Sequence, residues 1–168
     1  SKTLTKKGDV LIIGGGISGI TVALELARSG IPSTLIEKEP SLGGLSASFC
    51  CKASESCNKC FACVVDKRIS DIHQQEDISI LTQTEVLGVK GNGGKHRVSL
   101  KKGKERIDVE VSAVVVAAGI NPFDASQKAE YGYGRYKNVI TAKDLDEMLR
   151  FKGTLSRPSD GKLPKAVA

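Results

Sequence analysis

Cys50, Cys51, Cys57, Cys60 and Cys63 are all the cysteines of the chain, and they fall in one short segment. Their order, C-C-x5-C-x2-C-x2-C, places three thiols on one loop at the spacing an iron–sulfur cubane uses. Cys50 or Cys51 can bend back across the intervening residues to supply a fourth ligand. Lys52, Lys59 and Lys67 would offset part of the negative charge of a thiolate-bound cluster. A [4Fe–4S] cluster is therefore the leading expectation. Two other chemistries use the same residues. Zinc also takes four thiolates, but its sites usually pair two C-x2-C hairpins, and the second hairpin is absent. A redox-active dithiol of Cys51 and Cys57 needs a neighbouring base. His73 and His96 fall on a helix-like and a strand-like segment and read as ordinary surface residues. No side chain stands out as a general acid or base.

The second chemical feature is glycine. Gly14, Gly16 and Gly19 make G-x-G-x-x-G, a weak pattern alone. Here a strand-like run, DVLII over residues 9–13, precedes it. A helix-like run follows, and a second strand-like run, STLIE, ends in an acid at Glu37. That context is the one a dinucleotide site requires. The first glycine permits the turn, the second lets backbone approach a pyrophosphate, and the third lets helix pack on strand. Free amides at the helix start, including that of Ser18, and the helix dipole favour phosphate. The Glu37 carboxylate can accept from both ribose hydroxyls and would repel a 2′-phosphate. Beyond it, Lys38 and the pair Gly43-Gly44 extend the motif. NAD-binding domains usually lack such a pair. The whole run resembles the fingerprint of FAD-binding reductases similar to glutathione reductase and thioredoxin reductase. That resemblance implies FAD, with Gly43 and Gly44 on the pyrophosphate–flavin side and the Val86 backbone near the adenine. It also implies that the Ala117-Ala118-Gly119 segment stands where the family has A-T-G, so Ala118 and Gly119 join the cofactor site.

Periodicity supplies the elements that hold these residues. Ile20, Ala23, Leu24 and Ala27 share one helical face in residues 17–29, closed by Gly30 and Pro32. Val65, Ile69 and Ile72 share another in residues 64–74. Residues 78–81 are a short strand. Residues 84–90, 96–100 and 107–111 read as three antiparallel strands, and the apolar run 113–118 as a buried one. Residues 121–135 form an irregular loop. Thr141 can cap a helix over residues 142–151, with Asp144 and Glu147 in its early turns. The expected fold is α/β: a Rossmann-like FAD-binding domain with a parallel sheet and a three-stranded antiparallel meander, part of a larger two-nucleotide fold. The expected organisation is a loose tail at 1–8, the FAD-binding domain at 9–151 with a cysteine-rich insert at 45–66, and a linker or the start of a further segment at 152–168.

Fingerprint, cysteine insert and the late stretch NPFDASQKAEYGYGRYKNVIT (residues 121–141), followed by RPSDGKLPK (157–165), together resemble the A subunit of heterodisulfide reductase. The resemblance runs over residues 9–165. The chain departs from it in the insert, where many members have a phenylalanine–proline–threonine lead and two cysteines three apart. The resemblance implies flavin-based electron transfer toward a disulfide or related sulfur compound, through partner iron–sulfur subunits. Tyr131, Tyr133 and Tyr136 read first as packed loop aromatics and second as residues facing flavin or a partner.

The chain has 168 residues and a net charge of +6, from 25 basic and 19 acidic residues. Much of the excess lies in residues 90–106, a stretch that reads as a solvated hairpin rather than a nucleic-acid surface. No apolar run reaches membrane-helix length. No signal peptide is visible, and clustered free cysteines fit a reducing compartment, so the expectation is cytoplasmic.

Overall fold

The computed structural model describes the backbone of Lys2–Thr3 and residues 9–168 apart from 54, 58 and 61. Most of the expected loose tail therefore lies outside the described residues. The chain divides into two compact units, Ser1–Ala47 with Cys63–Gly119, and Ser48–Ala62 with Ile120–Ala168.

The first unit contains, in chain order, β1 (Lys2–Thr3), β2 (Val10–Ile13), α1 (Ile17–Arg28), β3 (Ser33–Ile36), most of α2 (Ala62–Ile72), β4 (Ile78–Leu81), β5 (Thr84–Asn92), β6 (Lys95–Lys102), β7 (Glu105–Val111) and β8 (Ala113–Val116). Four strands form a parallel sheet in the order β4-β3-β2-β8. The antiparallel meander β7-β6-β5 gains β1 on its edge, paired in parallel with β7.

Strand alternation explains the layering. Ile12 and Leu35 point from the parallel sheet to one side, where they meet Ile20, Ala23 and Leu24 of α1 and Ile72 of α2. Leu11 and Ile36 point to the other side, where they meet Val98, Leu100, Ile107 and Val111 of the meander. β2 and β3 are thus covered on both faces, as central parallel strands require, whereas β8, expected to be buried, is a half-exposed edge strand with Val116 72% exposed. Both helical faces read from the sequence pack as expected: Ile20, Ala23 and Ile72 are fully buried, and Val65 nearly so. Each large aliphatic side chain sealed in this way contributes about 1.5–3 kcal/mol. Helix α1 stops where Ser29 and Gly30 donate back to its last carbonyls and Gly30 turns left-handed, with Pro32 beyond.

The second unit is built around α3 (Ala142–Lys152). Its start carries a complete capping box. The Thr141 hydroxyl accepts from the Asp144 amide at 3.1 Å, and the Asp144 carboxylate accepts from the Thr141 amide at 2.8 Å. Lys143 and Glu147 pair along the helix, and Gly153 closes it in a left-handed turn. The loop before it is more ordered than expected, with 3-10 turns at Ala125–Gln127 and Ala129–Tyr131. Among the described residues no helix is long and apolar enough to cross a membrane.

Candidate functional site

The glycine turn lies at the carboxyl ends of β2, β3 and β8, the edge of a parallel sheet where ligands bind. The Gly14 amide donates to the Ile36 carbonyl at 2.9 Å, and the Ala117 amide to the Ile13 carbonyl at 2.7 Å. These bonds draw the three strand ends together. Gly14 has φ +110°, and a Cβ there would lie 2.2 Å from the Ala117 carbonyl oxygen. A Cβ on Gly19 would lie 1.9 Å from the Gly14 carbonyl oxygen, so α1 can sit this close to the turn only without a side chain. Above Gly16 there is nothing within 4 Å of a Cβ position, and the space is open. No side chain caps the start of α1, and its first internal bond runs from the Ile20 amide to the Gly16 carbonyl. The preceding amides are left for an anion. Ser18 is exposed in this first turn.

Glu37 is buried, at 8% exposure, and both its oxygens are already engaged. Oε2 accepts from the Gly15 amide at 2.7 Å and Oε1 from the Glu39 amide at 2.9 Å. The carboxylate therefore ties the phosphate turn to the end of β3. Each oxygen retains a lone pair, so ribose hydroxyls can still donate to it. The Gly43 amide donates to the Gly15 carbonyl at 2.7 Å, and Gly43 bridges Gly16 as a parallel β-partner. The glycine pair thus rests directly on the phosphate turn. Gly15 is the joint between Glu37 and Gly43. The G-x-G-x-x-G spacing does not single it out, and the unbroken Gly14-Gly15-Gly16 run is the one signal that could. These features fit a dinucleotide cofactor: a cradle that a Cβ would fill, a helix start without a cap, and a fixed acid beside it.

The other residues expected at the cofactor are less concentrated. Lys38 is exposed and lies 4.0 Å from Glu39. Val86 is partly buried on β5, opposite Leu100 and beside a register shift between Val86 and Gly88. Ala118 is exposed after β8, and Gly119 follows with φ +72°.

The five cysteines are all free thiols. Cys50 is buried, and the other four are exposed. In the second unit, Cys51 Sγ accepts from the Ala53 amide at 3.5 Å and Cys57 Sγ from the Lys59 amide at 3.4 Å. Backbone amides of Ala62 and Lys52 hold the Cys60 thiol below its usual range. Cys50 differs. Its Sγ lies 3.0 Å from Asp146 Oδ1, its amide donates to the same oxygen at 3.3 Å, and Lys52 Nζ lies 3.2 Å from the sulfur. Lys52 also pairs with Asp146, and Arg150 donates to the Phe49 carbonyl at 3.0 Å. Hydrogen bonds from Cys50 and then Lys52 hold the Asp146 carboxyl below its usual range, and the bond to Asp146 raises Lys52. Asp146 and Arg150 have no signal in the sequence, being nearly a hundred positions from their partners. Cys63 lies in the first turn of α2. Among the described residues no three Cys, His, Asp or Glu side chains are gathered as a metal site. The donor set suits a cluster in kind and number, though the structure does not assemble it.

The family model described as FAD dependent oxidoreductase matches residues 9–50. The A subunit of the ferredoxin/F(420)H(2)-dependent CoB-CoM heterodisulfide reductase of Methanosarcina acetivorans is 28% identical over 95% of this chain and 30% of its own length. An iron-sulfur A subunit of the CoB-CoM heterodisulfide reductase of Methanopyrus kandleri is 26% identical over 94% of this chain and 36% of its own. The chain is a relative of the heterodisulfide reductase A subunits. Residues 9–50 match the FAD dependent oxidoreductase model, and the chain spans about a third of the length of these relatives. The crystal structure of L-proline dehydrogenase from P. horikoshii superposes with a TM-score of 0.57 and 34% identity, over 66% of this chain and 22% of that one. The similarity to the reductase A subunits extends well beyond the fingerprint, so it takes in the cysteine segment and much of α3.

Proposed function

We propose that this chain is the FAD-binding part of an electron-transfer subunit in a heterodisulfide-reductase-like oxidoreductase, passing electrons between FAD and iron–sulfur centres. The observation that carries the reading is the Gly15 joint. One backbone amide is held by the buried Glu37 carboxylate and the adjoining carbonyl by Gly43, leaving open space over Gly16 at an uncapped helix start. On this reading Gly14, Gly16, Ser18 and Gly19 hold the pyrophosphate through backbone amides. Glu37 receives the adenosine ribose and disfavours a 2′-phosphate, with Lys38 beside it. Gly43 and Gly44 support the pyrophosphate–flavin side. The Val86 backbone flanks the adenine, and Ala118 and Gly119 close the site after β8.

Bound flavin can exchange electrons in pairs on one side and singly on the other. The cysteine segment, with ligands drawn from Cys50, Cys51, Cys57, Cys60 and Cys63, holds a [4Fe–4S] cluster. Its four exposed sulfurs and nearby lysines support that assignment. Iron–sulfur subunits of a reductase complex are the partners, in keeping with relatives that are themselves named as subunits. The compartment is cytoplasmic. The chain's own contribution is to position and insulate these groups, not to move protons.

The test is a calorimetric titration of the full-length, flavin-stripped protein with FAD and with NAD. FAD binds one to one and NAD does not displace it. One-to-one binding of NAD with no binding of FAD would overturn the cofactor assignment.

A further inference from the structure

The segment 49–52 is held by one face of α3. Asp146 and Arg150 are one helical turn apart and reach the segment together, Arg150 at the Phe49 carbonyl and Asp146 at the Cys50 amide and sulfur. The clamp treats two adjacent cysteines in opposite ways. Cys50 is turned inward, at 7% exposure, and its thiol donates to a carboxylate. Cys51 is turned outward. The sulfurs of Cys51, Cys57 and Cys60 all accept backbone N–H groups, the role a metal-bound thiolate also plays. Cys50 would have to give up its contacts with Asp146 and Lys52 to reach a metal.

We propose that Asp146, seconded by Arg150 and Lys52, withdraws Cys50 from the ligand set and presents Cys51 as the fourth cluster ligand beside the C-x2-C-x2-C run. Asp146 is then a positioning residue: it acts on the cluster only through the loop it holds. This inference rests on the cluster proposed above and names which sulfurs hold it.

The experiment uses full-length protein purified without oxygen, with iron and sulfide measured per chain and flavin content as the check on folding. Wild type carries iron and sulfide in equal amounts. Cys50→Ser keeps that content within experimental scatter, whereas Cys51→Ser loses about four of each, one cubane's worth, at unchanged flavin. The reverse pattern overturns the inference and leaves the cluster standing. A wild type with flavin but neither iron nor sulfide removes the cluster reading itself. Asp146→Asn supplies a second readout, alkylation mapped by mass spectrometry on the iron-loaded protein. Cys50 becomes labelled about tenfold faster than in wild type while iron is retained. If Cys50 stays protected in Asp146→Asn until iron is lost, Cys50 is a ligand and the inference fails.

Discussion

The two units position their chemistry by different means. In the first, the groups that would meet a phosphate are backbone amides fixed by strands, a helix and a buried carboxylate, and no flexible side chain intervenes. In the second, the reactive groups are exposed thiols on irregular chain, and the side-chain clamp from α3 holds only the buried Cys50 and its neighbour Phe49. The first arrangement is preorganised by packing, and most of the turn's atoms have no alternative position. The second is held by α3 at one end, at Phe49 and Cys50. A phosphate cradle profits from rigidity because its ligand is presented with N–H groups already desolvated. A cluster loop is completed by the cluster itself, much as metal binding and folding are coupled elsewhere.

That contrast is most easily broken at Gly19. A methyl placed 1.9 Å from the Gly14 carbonyl oxygen forces α1 off the turn. Gly19→Ala is expected to cost about 3 kcal/mol or more and to abolish FAD binding. Thermal denaturation with and without FAD checks it, and a melting temperature equal to wild type would show that the turn is less rigid than described. Glu37→Gln comes next. A carboxamide has only one oxygen for the two amides of Gly15 and Glu39, and its NH2 group faces a donor. The expected loss is about 1–3 kcal/mol, with FAD affinity reduced roughly tenfold or more in a titration.

Effects in the second unit should be smaller and more local. Asp146→Asn is expected to cost about 1–2 kcal/mol in denaturant unfolding while FAD affinity stays within about twofold of wild type. A large loss of FAD binding would show that the nucleotide turn depends on the clamp. Thr141→Ala removes half of the capping box and should cost about 1 kcal/mol, read as a shift in the denaturation midpoint. Arg97→Ala breaks an exposed pair with Glu110 on the meander and should leave the midpoint unmoved.

Much of the first unit is legible in the sequence because its signals are local. The G-x-G-x-x-G spacing, the acid at Glu37 and the apolar faces of residues 17–29 are enough to specify the βαβ unit. The meander is legible in number and order, but its strands run longer than expected. Gly93 and Gly94 both adopt positive φ and close a two-residue hairpin, so Asn92 and Lys95 already belong to the ladder. Polar residues read there as loop because nothing in composition separates a solvated strand end from a turn. The engagement of Glu37 by Gly15 is only half visible: the acid is placed, but the motif points to ribose alone as its partner. The Cys50–Asp146 clamp is not visible. It joins an irregular loop to the polar face of a helix nearly a hundred positions later, and no period marks such a pair.

On the proposed function, a flavin site and an iron–sulfur site belong to one electron-transfer subunit. Flavin, iron, sulfide and zinc content of the full-length protein, purified without oxygen, tests it most directly. The expected result is FAD together with iron and inorganic sulfide in equal amounts and a broad visible absorption beneath the flavin bands. Flavin with titratable thiols and no iron would transfer the function to a Cys51–Cys57 dithiol. A colourless protein holding zinc and no flavin would contradict the account altogether.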